Sequence, residues 1–89
     1  MARYEAQSFE MIESAAQGGM PDALFELGLM YCSGREVGLD LVEAHKWFNL
    51  AALRGNDSAK HYRQELASEM TKAQVGTAQK RAREWLSRH

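Results

Sequence analysis

Ala15-Ala16-Gln17-Gly18-Gly19-Met20-Pro21-Asp22-Ala23 returns later in the chain as Ala51-Ala52-Leu53-Arg54-Gly55-Asn56-Asp57-Ser58-Ala59. Both stretches read Ala-Ala-x-x-Gly-x-x-x-Ala, and they stand 36 positions apart. The register extends backwards, where Ser8, Met11, Ile12 and Ala15 fall on Ala44, Trp47, Phe48 and Ala51. Each set has the i, i+3, i+4, i+7 spacing of one helix face. A period of this length with helical spacing predicts an all-α solenoid. In such a fold antiparallel helix pairs stack because one pair alone cannot bury its apolar face.

Working outward from the repeat, five helices are expected, over about residues 3–17, 21–32, 41–53, 57–70 and 72–88. The first stops at Gly18-Gly19, and the second opens on Pro21, a residue suited to a first helical turn. The second is apolar on two sides, with Leu24, Leu27, Gly28 and Tyr31 on one and Phe25, Leu29 and Cys32 on the other. Before the third, Asp40 and Glu43 have the spacing of a capping box, Asp40 accepting from free N–H groups and Glu43 reaching back. The third helix stops at Gly55. In the fourth, Ala59, Tyr62, Leu66 and Met70 are expected to point inward. Thr71 and Gln74 form a second capping box, opening a fifth helix with Val75, Ala78, Ala82, Trp85 and Leu86 inward. No segment reads as a strand.

The arrangement of Ala15-Ala16, Gly19, Ala23, Leu27-Gly28, Tyr31, Gly34, Val37, Asp40, Ala44, Trp47-Phe48, Ala51-Ala52 and Gly55 resembles the Sel1-like repeat, a relative of the tetratricopeptide repeat. The resemblance covers about residues 8–59. It implies a superhelix of helix pairs and scaffold or adaptor work, of the kind common in bacteria. Two departures stand out. Glu36 occupies a loop position where the family usually has a second glycine. Leu27, Gly28 and Tyr31 map onto Arg63, Gln64 and Ala67, so the fourth helix begins like a repeat and then leaves the pattern. Residues 57–89 therefore read as a C-terminal cap on a single domain. The repeat positions have structural reasons of their own. Gly28 inside a helix costs about 1 kcal/mol against Ala, a cost that close approach of the third helix, with Trp47 or Phe48 over the gap, would offset.

The 89 residues carry 45% hydrophobic and 26% charged side chains, the composition of one small globular domain. One cysteine excludes an internal disulfide framework and a cysteine-based zinc site. There is no run of about 20 apolar residues and no apolar leader, which makes the cytoplasm the default expectation and argues against a membrane role. Net charge is −1, but residues 1–45 carry 2 basic and 8 acidic side chains against 9 basic and 4 acidic over 46–89. Such polarity reads first as a solvated helix face with cations near a helix C-terminus, where the dipole favours them, and otherwise suits an acidic partner, or copies stacked end to end.

Chemistry is sparse. His45, His61 and His89 lack metal-ligand spacing, so no metal or cofactor is expected. Phosphate loops and nucleophile motifs are absent from the sequence, and no catalytic residue is assigned. Lys80-Arg81-Ala82-Arg83-Glu84-Trp85 could pair phosphates and stack bases, but Trp85 falls on the apolar stripe, which argues against nucleic acid. The reading is a non-catalytic protein-interaction module. Its groove candidates are Phe25 and Leu29 of the second helix, with His61 and Glu65 at the equivalent positions of the fourth. Phe25 and Leu29 have two open roles, as the wall of a groove or as packing against the fourth helix. A protein or peptide is the expected partner. A homodimer, or a small homo-oligomeric structural protein, is the alternative.

Overall fold

The computed structural model describes residues 8–89, and among them it contains five α-helices and no strand. They are α1 (Phe9–Gln17), α2 (Pro21–Ser33), α3 (Leu41–Leu53), α4 (Asp57–Ala67) and α5 (Lys72–Arg88). The order of turns follows from local chemistry. Ser8 is extended and its hydroxyl accepts from the Met11 N–H, so the first helix begins at Phe9. The stretch from Arg3 to Gln7, expected to be helical, lies outside the described residues. Pro21 opens α2, and Gly34 closes it in the left-handed conformation (φ 75°), returning its N–H to the Met30 carbonyl. Asn56 caps α4 and the Thr71–Gln74 box caps α5.

Helices α1 and α2 form one antiparallel pair, with Phe9 at the start of α1 edge-on to Tyr31 near the end of α2. Helices α3 and α4 form the next. α3 is the hub: it packs against α2, α4 and α5. Its neighbour α5 runs parallel to it, as Glu43 meets Arg81 and Trp47 meets Trp85. The core is built from the repeat positions. Ala16, Leu27, Gly28, Ala44, Trp47, Phe48 and Ala51 are buried, and Ala15, Ala23, Tyr31 and Ala52 are half-buried. An ideal Cβ on Gly28 would stand 2.4 Å from ring carbons of Phe48, so the glycine is the socket for that ring. Here the expected close approach is realised, with Phe48 rather than Trp47 over the gap.

Several expectations need correction. Asp40 does cap α3, accepting from the Glu43 N–H at 3.1 Å, but Glu43 does not reach back. Its carboxylate accepts from the Trp47 indole at 3.2 Å and pairs with Lys46 and Arg81, at 3.3 and 2.9 Å. The Asp40 N–H goes instead to the Tyr31 carbonyl. Helix α4 ends at Ala67 rather than near residue 70: the Glu69 and Met70 N–H groups bond the i−3 carbonyls of Leu66 and Ala67, and the chain then enters the Thr71 cap. Of the inward set, Tyr62 is 41% exposed and Leu86 38% exposed. Leu86 lies one position past Trp85, and the indole takes the inward place.

The loop after α2 holds a strained residue. Glu36 has φ 66°, the conformation that costs a residue with a Cβ about 1–2 kcal/mol. It stands where glycine is usual in the resembling family. Its Oε1 accepts from the Phe9 N–H at 3.2 Å, tying the loop to α1. Glu36→Gly is expected to raise stability by up to about 1 kcal/mol in urea titrations, the relief of strain exceeding one exposed hydrogen bond. A loss of stability would show that the contact to Phe9 outweighs the strain.

His45 is the buried polar side chain of the described core, 2% exposed, and its Nδ1 has no hydrogen-bond partner. Burial holds its pKa below the ordinary 6.5, and the Arg63 guanidinium pushes the same way. Below that value the unfolded chain binds the proton that the folded chain refuses. Stability is therefore full above about pH 6.5 and falls as the pH drops through it. Replacing His45 by Gln should flatten this limb of the stability profile. Parallel wild-type and variant profiles would contradict the assignment.

Candidate functional site

Helices α2 and α4 come together as neighbours at their N-terminal ends, where Asn56 Nδ2 donates to Asp22 Oδ1 at 3.1 Å. One turn further on, the Phe25 ring meets Tyr62 edge-on, with centroids 5.1 Å apart, and lies 5.7 Å from Phe48. Beyond this aromatic contact the floor is apolar. Leu29, Cys32, Leu41 and Met70, all half-buried, pack over the buried Ala44, Phe48 and Leu66. Phe25 and Leu29 therefore take part in packing while keeping part of their surface exposed.

His61 and Glu65 stand on the α4 side of this floor. Their side chains are 69% and 67% exposed, and His61 Nε2 lies 3.0 Å from Glu65 Oε2. The fold thus joins Phe25 directly to Tyr62, the residue beside His61, and sets His61 with Glu65. Glu69 follows one turn later and is also exposed. Burial pushes the Cys32 thiol up, and the charge of Glu69 pushes it further the same way. That places Glu69 within electrostatic reach of the apolar floor and leaves Cys32 a poor nucleophile. The sequence carried the signal in part: Glu65 and Glu69 share a face at i, i+4. Nothing in one sequence tied that face to Cys32.

Elsewhere the surface offers less. Trp85 is 6% exposed, packed edge-on to Trp47 at 6.2 Å, with its indole N–H 3.3 Å from Gln17 Oε1. It cannot serve as a stacking platform for bases, and Arg81 beside it is held by Glu43. Among the described residues no group of three or more His, Cys, Asp or Glu is arranged to hold a metal ion. No helix among them is long and apolar enough to cross a membrane.

Comparison with known proteins agrees with this architecture. The sequence model of the Sel1 repeat matches residues 21–56, a span of 36 residues, equal to the internal period. Over 71 residues the chain is 28% identical to the alginate biosynthesis protein AlgK of Azotobacter vinelandii. That match covers 80% of this chain and 15% of the relative, so the chain spans about a seventh of that protein's length. No solved structure gives a significant match.

Proposed function

We propose that this Sel1-like repeat protein, with its repeat at residues 21–56, is a non-catalytic adaptor that binds a protein segment on the face between α2 and α4. Sel1 repeats generally mediate protein–protein interaction, and a helical solenoid presents extended surfaces for it. The observation that carries the choice of face is the half-exposed strip of Phe25, Leu29, Cys32, Leu41, Tyr62 and Met70. A partly exposed apolar strip rimmed by polar side chains is the usual form of a docking surface. Phe25, Leu29, His61 and Glu65 are the residues assigned to it.

Peptide selection from a displayed random library on the purified chain tests this reading. Enriched peptides should lose binding to Leu29→Asp and keep it with Met11→Asp, an exposed site on α1, with both variants folded by circular dichroism. Peptides that bind Leu29→Asp as well as they bind wild type would move the site elsewhere.

A further inference from the structure

We infer that the α2–α4 face selects basic amphipathic segments, and that Glu65 and Glu69 are the residues that select them. This rests on the docking face proposed above and adds the chemistry of its partner. Beside the strip members Tyr62, Leu66 and Met70 stand His61 and Glu65 on α4 and Glu69 in the turn after it, and the only ion-pair partner of either carboxylate among the described residues is the His61 imidazole. Both side chains of that pair are largely exposed, and no lysine or arginine pairs with Glu65 or Glu69 among the described residues. Across the strip on α2, Glu26 is neutralised by Arg35. The net result is an apolar floor with one anionic wall.

A segment that fits both parts needs an apolar stripe for Leu29, Cys32 and Tyr62 and cations beside it for Glu65 and Glu69. On a helix, apolar residues at i, i+3, i+4 and i+7 with Lys or Arg flanking them meet that requirement. The basic helix of this chain does not supply it. The apolar stripe of α5, Ala78, Ala82 and Trp85, is buried against its own core. The occupant is therefore a segment of another protein rather than α5 of a second copy.

Three synthetic amphipathic peptides with one leucine stripe test the inference, differing only in Lys, Gln or Glu at the polar positions. Their fluorescence anisotropy is titrated with the full chain in low and high salt. The Lys peptide should bind about tenfold or more tightly than the Gln peptide, and the Glu peptide most weakly. Its affinity should fall with salt and drop by a similar factor in a chain carrying Glu65→Lys and Glu69→Lys. Glu10→Gln on α1, an exposed carboxylate elsewhere, should leave it unchanged.

Equal binding of the three peptides, sensitive to Leu29→Asp, would overturn the charge selection while sparing the docking face. Loss of Lys-peptide binding in Glu10→Gln as large as in the α4 double variant would overturn it as bulk attraction to the acidic half. Absence of any binding that Leu29→Asp weakens would count against both readings.

Discussion

Gly28→Ala is expected to destabilise the protein by about 2 kcal/mol, although alanine is the better helix former. Helix propensity alone favours the substitution by about 1 kcal/mol. Against it stands the Phe48 ring, 2.4 Å from where the methyl must go. Phe48 is 1% exposed and packed against Phe25 and Tyr62, so the ring cannot retreat without displacing its neighbours. Overpacking of this kind costs about 1–3 kcal/mol, and more where neighbours are fixed. A double-mutant cycle with Phe48→Leu separates the clash from any general effect on α2. The smaller side chain should absorb the methyl, so that the double variant is less destabilised than the two singles together, by about 1 kcal/mol or more. Additive effects would show that Gly28 and Phe48 do not form a socket and a plug. Urea titration of the four proteins measures this directly.

Trp85→Ala should have the largest effect on stability, about 3–5 kcal/mol. Whole domains of this size are stable by roughly 0.05–0.15 kcal/mol per residue, so the loss takes a large fraction of the total. Trp85 is the anchor of α5. It packs edge-on to Trp47 and, through its indole N–H, touches the end of α1 at Gln17, while Arg54 lies 5.8 Å from the ring centre. Trp85→Phe keeps an aromatic plug and gives up the bond to Gln17, a part-buried contact worth about 1 kcal/mol. Thermal unfolding followed by far-ultraviolet circular dichroism should rank wild type above Phe above Ala. An alanine variant with near-wild-type unfolding would mean that α5 does not seal the stack.

The architecture was legible because its causes are local and repeated. The 36-residue register carried Ala16, Ala44, Phe48 and Ala51 into the core together, and Gly28 in mid-helix announced a close neighbour. Capping side chains at Thr71 and Asp40 are local chemistry and could be read off directly. One misreading comes from a residue distant in sequence and another from local bonding. Glu43 fits a capping box by spacing, but Arg81 lies 38 positions away and draws the carboxylate across to α5. No glycine or proline follows Ala67, so no stop is visible there, and the switch of Glu69 and Met70 to i−3 backbone bonds ends the helix.

The candidate site was legible only residue by residue. Phe25, Leu29, His61 and Glu65 followed from the repeat, whereas the proximity of Glu69 to Cys32 exists only once α2 and α4 are side by side. Likewise, Tyr62 looks like core by period, yet at a half-open position between two helices it is both packing and surface. Glu36 shows the reverse case: a departure from the resembling family visible in sequence proved to be a backbone strained at positive φ.

A partner segment should dock on the face between α2 and α4. Amide chemical-shift mapping of the isotope-labelled chain during titration with a library-selected peptide tests it most directly. The largest shifts should fall on α2 around Phe25 to Cys32 and from His61 on α4 to Glu69 in the turn after it, with α1 and the outer side of α5 unmoved. Shifts concentrated on α1 or on the exposed cations of α5, leaving Leu29 and Glu65 unmoved, would contradict it.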